Sequence, residues 1–186
     1  MAPHVCPWWL AYFFDIPGRR LLQNPKKICR PYVREGMTAL DLGCGLGFST
    51  IDLARLVGPS GKVLAVDLQP RMLSGLARRA KRAGLADRIE TRLCGPDDLG
   101  LSEAADFAIA FNVVHEASDQ TAFLAQVSRA LKPGACFLIV EPSFHISEDD
   151  LLATIALADK IGLKEVSRPR IVWSRAVVLS NRGATL

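Results

Sequence analysis

The strongest chemical signal in the chain is the run Asp41-Leu42-Gly43-Cys44-Gly45-Leu46-Gly47, a DxGxGxG pattern. Glycines at this spacing let a backbone turn sharply and approach a ligand with no Cβ in the way. Asp67 follows Gly47 by twenty residues and ends the apolar run Val63-Leu64-Ala65-Val66, where a carboxylate can accept hydrogen bonds from a ribose diol. Together the two features imply an adenosine-type ligand. The bland alternative is that the glycines only make a tight turn and Asp67 only caps the next helix. The spacing also separates cofactors. A pyrophosphate-binding loop wants GxGxxG leading into a helix N-terminus, whereas here an acid precedes alternating glycines. S-adenosylmethionine has no phosphate but carries an ammonium, a carboxylate and a sulfonium, and Asp41 is placed to orient the ammonium directly or through water.

A second set of polar residues is His115 and Glu116, in Phe111-Asn112-Val113-Val114-His115-Glu116, with Glu141, Pro142 and His145 further on. Such a set could align a nucleophile and, where that is protonated, supply a base. His115 and His145 are the candidate bases, with Glu116 and Glu141 completing a polar wall. The alternative is that His115 starts a helix and His145 lies exposed in a loop. Two histidines and two glutamates raise the question of a metal, but their spacing matches no ligand motif, and no metal is expected. Near the start, Cys6-Pro7-Trp8-Trp9-Leu10-Ala11-Tyr12-Phe13-Phe14 concentrates aromatic residues. Trp8 and Trp9 are candidate substrate contacts; packing on a sheet edge, or on a second subunit in a homodimer, are the structural alternatives.

These residues need elements to position them. From Thr38 onward short apolar runs alternate with helical periods, the pattern of a doubly wound α/β sheet. Strands are expected over residues 38–42, 62–67, 89–93, 105–111 and 135–141, none with strict polar alternation, as for strands buried on both faces. Helices are expected over 48–57, 70–83, 120–130 and 148–161. Pro70 suits a first helical turn and Gly84 a left-handed stop, and Ser147 with Asp150 forms a capping-box pattern. Phe123, Leu124, Val127, Ala130 and Leu131 make one apolar stripe facing the sheet. Lys132-Pro133-Gly134 reads as a type II turn feeding the fifth strand. Residues 163–168 and 172–179 are joined too closely for a helical crossover and must be antiparallel, giving seven strands, mostly parallel with a C-terminal antiparallel hairpin. Residues 1–30 lack strand signals and read as a helical or irregular lid, leaving residues 31–186 as the binding domain.

Over residues 32–179 the chain resembles the class I S-adenosylmethionine-dependent methyltransferases of the small-molecule type that includes the quinone-biosynthesis enzymes. The resemblance is carried by the 41–47 loop, the strand ending at Asp67, residues 111–116 and Leu131-Lys132-Pro133-Gly134. It implies a Rossmann-like methyltransferase that converts S-adenosylmethionine to S-adenosylhomocysteine. Gly43, Cys44 and Gly45 would lie near the methionyl part, Asp67 at the ribose, Leu68 against the adenine and Asn112 near the methyl group. One position departs from the family: where an acid often meets the adenine amino group, this chain has Cys94-Gly95-Pro96-Asp97. Either Asp97 or Asp98 reaches back, or backbone groups of Cys94 and Gly95 read the ring. The Asn/Asp-Pro-Pro-aromatic motif of nucleobase amino-methylating enzymes is missing, and no cysteine has the setting of a cytosine C5 nucleophile.

Composition sets the remaining bounds. With 49% hydrophobic and 23% charged residues in 186, the chain is an ordinary single-domain globular protein. The net charge of +4 predicts no partner by itself, and the cluster Arg78, Arg79, Lys81 and Arg82 reads as a solvated helix face opposite Met72, Leu73, Leu76, Ala80 and Ala83. Five cysteines without a CxxC pair fit reduced cytoplasmic thiols, and the apolar segment 5–14 is too short for a membrane span. A small-molecule methyltransferase is therefore expected, with no membrane partner. A nucleic-acid methyltransferase and a non-catalytic S-adenosylmethionine-binding module are the alternatives.

Overall fold

The computed structural model describes residues 17–102 and 104–182. Two short helices, α1 (Pro17–Leu22) and α2 (Pro25–Cys29), lead into β1 (Thr38–Leu42), α3 (Thr50–Leu56), β2 (Lys62–Asp67), α4 (Pro70–Arg82), β3 (Ile89–Leu93) and β4 (Ala105–Phe111). There follow α5 (Gln120–Ala130), β5 (Leu131–Pro142), α6 (Glu148–Lys160), β6 (Leu163–Ser167) and β7 (Ser174–Asn181). The seven strands form one sheet in the order β3-β2-β1-β4-β5-β7-β6. β1 to β5 pair in parallel, and β7 runs antiparallel to both β5 and β6.

The alternation within each central strand explains the layers. Leu40, Leu42, Leu64, Val66, Ala108 and Ala110 point to one face, where Leu124 and Val127 of α5 and Leu151 and Ala158 of α6 cover them. Ala39, Val63, Ala65, Phe107 and Ile109 point to the other, against Leu53 of α3, Leu73 and Leu76 of α4, and Cys29 of α2. Strands covered on both sides carry no polar face, hence their unbroken apolar runs. β3 departs from that expectation. It is the sheet edge, and Glu90, Thr91 and Leu93 are exposed.

β5 also begins earlier than the sequence pattern suggested. Leu131 already pairs with Ala105, after which Cys136 pairs with Phe107, so the intervening residues bulge out of the ladder. Gly134 adopts φ +79° and Lys132 reaches Asp106 at 2.6 Å. The turn chemistry is the expected one, folded into a strand as a bulge. α3 starts two residues later than expected because residues 44–49 still belong to the glycine loop, and Ala83 is exposed as the C-cap of α4.

Helix ends follow their local signals. Ser147 and Asp150 form both halves of a capping box on α6, Asp119 caps α5 by accepting from the Ala122 amide at 2.9 Å, and Pro70 opens α4. At the far end of α5, buried Asn181 donates from Nδ2 to the carbonyls of Ser128 (2.9 Å), which also accepts the Leu131 amide, and Leu131 (2.7 Å). Asn181→Ala removes both hydrogen bonds, and urea denaturation should register a loss of about 2 kcal/mol.

Candidate functional site

Among the described residues, the glycine loop, Asp67 and the set around His115 and His145 converge at the C-terminal ends of the parallel strands, where the chain leaves β1 and β4 toward opposite faces. This is the switch point at which open α/β sheets bind ligands. A cleft of about 510 Å³ opens there, within the usual ~300–1,000 Å³ of small-molecule sites. Asp41, Gly43, Cys44, Gly45, Asp67 and Leu68 line one half; Cys94, Gly95 and Asn112 continue it; His115, Glu116 and His145 line the other. Glu141 stands behind His115 rather than in the wall. Trp8 and Trp9 lie outside the described residues.

Asp67 organises the loop. One of its oxygens accepts the Gly45 amide and the other the Gln69 amide, each at 2.8 Å, although the residue is only 8% exposed. Burial pushes its carboxyl up, and the amides of Gln69, Gly45 and Leu68 hold it back down. Asp67 does not cap α4, whose N-cap is Gln69; it ties the glycine loop to the residue before the helix and borders the cleft. Asp41, at the end of β1, is 2% exposed. Burial raises its carboxyl to about 7; the hydroxyl of Thr50, 2.5 Å from Oδ2, opposes this, and the neighbouring charge of Asp67 adds to it.

The glycines serve different purposes. A Cβ on Gly43 would lie 2.4 Å from Val113 and one on Gly47 2.5 Å from Leu76, so these two allow close packing. A Cβ on Gly45 would meet nothing within 4 Å; Gly45 has φ +53° and borders the cleft. Three of the loop's amides are spent internally: Cys44 donates to Val66, Gly45 to Asp67 and Gly47 to Cys44. A pyrophosphate would need those donors.

At the third strand, the Cys94 amide donates to the Asp67 carbonyl and the Gly95 amide to that of Asp98. The Asp98 carboxylate accepts the Gly100 amide, and Asp97 accepts from Ser118. Neither acid borders the cleft. Of the two arrangements considered for the adenine end, the one in which an aspartate reaches back does not occur. Apolar walls remain there, from Leu68, Met72 and Leu99.

On the opposite side Asn112 holds φ +60°, a strained angle outside glycine, and its buried Oδ1 has no protein partner. His115 follows in a short 3₁₀ turn. Glu141, 3% exposed at the end of β5, accepts both the His115 backbone amide at 3.3 Å and Nδ1 at 2.5 Å. Burial alone would lower the imidazole pKa; the Glu141 hydrogen bond and charge, with the charge of Glu116, outweigh it and the net direction is upward. The His145 ring stands edge-on at 5.2 Å.

Several lining residues escaped the sequence reading. Arg19 of α1 lays its guanidinium over Phe48 (4.3 Å) and Phe111 (5.1 Å), and Phe144 lies at the mouth, 82% exposed. α1 is held there by Arg20 on Asp52 at 2.8 Å and by Gln23 on the Val172 carbonyl at 2.7 Å. Nothing in the spacing of α1 announces that docking. The basic cluster, by contrast, lies toward the far end of α4. Arg79 reaches the Leu46 carbonyl, while Arg78, Lys81 and Arg82 are exposed.

The methyltransferase-domain family profile matches residues 33–170. The chain belongs to that family. A ubiquinone/menaquinone biosynthesis C-methyltransferase of Klebsiella pneumoniae is 30% identical over 62% of this chain and 47% of its own length. A ubiquinone biosynthesis O-methyltransferase of Paramagnetospirillum magneticum is 30% identical over 61% and 43%. The chain spans less than half the length of these curated relatives. An S-adenosylmethionine-dependent methyltransferase of Aquifex aeolicus shares the fold with a TM-score of 0.86 at 23% identity, over 95% of this chain and all of that one. Family membership implies S-adenosylmethionine, and the chemistry of the residues present fits it: two buried acids, Asp41 and Asp67, on the cleft, a glycine at Gly45 open to it, and the unpartnered buried Oδ1 of Asn112.

The Asp67 clamp carries a direct expectation. In Asp67→Ala the Gly45 and Gln69 amides lose a carboxylate partner worth about 1.5–3 kcal/mol each, so their hydrogen exchange, followed by NMR, should quicken by about tenfold or more.

Proposed function

We propose that this protein transfers a methyl group from S-adenosylmethionine to a small-molecule acceptor bound between the ends of β4 and β5. The observation that carries this reading is the Asp67–Gly45 clamp beside a cleft whose other half is walled by His115, Glu116 and aromatic rings. Asp67 takes the ribose with its remaining lone pairs, Leu68, Met72 and Leu99 pack on the adenine, and Gly43, Cys44 and Gly45 border the methionyl chain. Asp41 and Asn112 meet its ammonium. The bound cofactor supplies an electrophilic methyl carbon; the protein's part is to align an acceptor with it and to keep water away. The curated relatives act, by their names, in quinone biosynthesis, which favours a conjugated cyclic acceptor here too. Arg19, Phe48, Phe111 and Phe144 suit such a ring.

The segment up to residue 30, with Trp8 and Trp9, serves the acceptor side, and residues 31–186 carry the cofactor. A nucleic-acid acceptor is disfavoured because the strand-end segment Phe111-Asn112-Val113-Val114 lacks the paired prolines of nucleobase amino-methylating enzymes.

Calorimetry is the test. S-adenosylhomocysteine should bind and NAD should not; the reverse preference would overturn the proposal. Below pH 7 the Asp41 carboxyl is protonated and binding an ammonium beside it must first expel that proton. Affinity should therefore rise between pH 6 and 8, by up to about tenfold per unit below pH 7, and Asp41→Asn should flatten the profile.

A further inference from the structure

Exposed apolar side chains gather beside the cleft mouth. Leu21 of α1 is 87% exposed and Trp173, in the loop between β6 and β7, is 64% exposed; Leu22, Val172 and Phe144 are exposed with them. Three hydrogen bonds bring these segments together. Buried Gln23 donates from Nε2 to the Val172 carbonyl at 2.7 Å and to Ser174 Oγ at 2.9 Å, and the Ser143 amide donates to the Trp173 carbonyl at 3.0 Å. The end of α1, the β6–β7 loop and the turn after β5 therefore share one surface. Trp173 holds φ +57°, an unfavourable angle for a bulky residue, and its side chain is left in solvent. Single exposed apolar residues are ordinary, whereas a group of them marks a contact surface.

The charge around the patch selects its partner. Residues 16–34 contain six basic residues and no acid. Lys26, Lys27 and Arg30 of this run are exposed, as is Arg170, two residues before Val172. The acids nearest Phe144 in sequence open α6, where Glu148 is paired with Arg168 and Arg175 and Asp150 with Ser147. A second copy of the chain suits this surface poorly, because a two-fold contact would set the basic run against itself. The aliphatic Leu21, Leu22 and Val172 offer no stacking face to a nucleobase. A lipid surface with anionic headgroups meets both features. Trp and Phe rings settle at the headgroup level with apolar chains beneath them, and Lys and Arg keep their charged ends among the phosphates. The expectation of no membrane partner rests on span length. No helix among the described residues is long and apolar enough to cross a membrane, so the contact is with the bilayer surface.

We propose that the surface formed by the end of α1, the β6–β7 loop and the turn after β5 docks peripherally on an anionic lipid bilayer, with Leu21, Phe144 and Trp173 inserted among the headgroups. Phe144 also lines the cleft, so docking turns the cleft mouth toward the lipid. The docking is independent of which acceptor the cleft takes.

The test uses the full-length protein and co-sedimentation with two kinds of vesicle, phosphatidylcholine alone and phosphatidylcholine with about a quarter phosphatidylglycerol. The protein should pellet with the anionic vesicles and stay largely in solution with the neutral ones, and raising the salt from about 0.05 to 0.5 M should weaken the binding. Leu21→Glu combined with Trp173→Glu should lower the affinity for anionic vesicles by about tenfold or more, and Lys26→Gln combined with Lys27→Gln severalfold, with the circular dichroism unchanged. Should the Trp173 change disturb the fold, Leu21→Glu alone decides, since Leu21 stands almost wholly in solvent. Failure to bind the anionic vesicles, equal binding to the neutral ones, or an affinity indifferent to these substitutions overturns the inference. So does either rival occupant: a dimer in light scattering that Leu21→Glu dissociates, or binding of a uridine oligonucleotide, in place of vesicles, that the same substitutions abolish.

Discussion

A single carboxylate holds the cofactor half of this molecule in shape. Asp67 is nearly out of water, and burying a charged group is costly unless it is hydrogen-bonded. It meets that cost with backbone amides from two segments, Gly45 and Gln69, and in doing so joins the loop after β1 to the helix after β2. The loop must bend sharply to present the Gly45 amide, which is why positive φ recurs at Gly43, Gly45 and Gly47. Once bent, it commits the Cys44, Gly45 and Gly47 amides to the protein and leaves an open surface at Gly45. The glycine spacing, the acid and the cofactor are one constraint viewed from three sides.

The second half of the cleft depends on sheet register. Phe111 of β4 pairs with Val140 of β5, so the turn after β4 meets the last residues of β5 although 26 positions separate His115 from Glu141. The left-handed turn at Asn112 swings the chain so that His115 folds back over β5. An imidazole then gains a buried partner, and its proton position is fixed before any ligand arrives. The cofactor half is thus built from backbone geometry, and the acceptor half from side chains placed by neighbouring strands.

Much of this was readable from the chain. β1, β2 and β4 begin and end where their apolar runs do, because a strand covered on both faces has no polar position to blur its limits. The DxGxGxG loop and Asp67 were legible because backbone turns and strand ends leave local marks. What was illegible depends on pairing across the chain. The sheet's strand order puts β3 at an edge, where its Glu90 and Thr91 stay exposed, and the Leu131–Ala105 pair draws the Lys132 to Gly134 turn into β5. Glu141 read as part of a wall, whereas its bond to His115 follows from register. The docking of Arg19 over Phe48 and Phe111 depends on Arg20 finding Asp52 and Gln23 finding Val172, contacts that no local pattern encodes.

The central claim is that Asp67 both clamps the glycine loop and receives the ribose. A crystal structure of the S-adenosylhomocysteine complex tests it most directly. The account predicts the ribose hydroxyls at hydrogen-bond distance from Asp67, about 2.5–3.0 Å, with the Gly45 and Gln69 amides still on the same carboxylate and the sulfur directed toward Asn112 and His115. A ribose held elsewhere, or an Asp67 that releases Gly45 when the ligand binds, would contradict it.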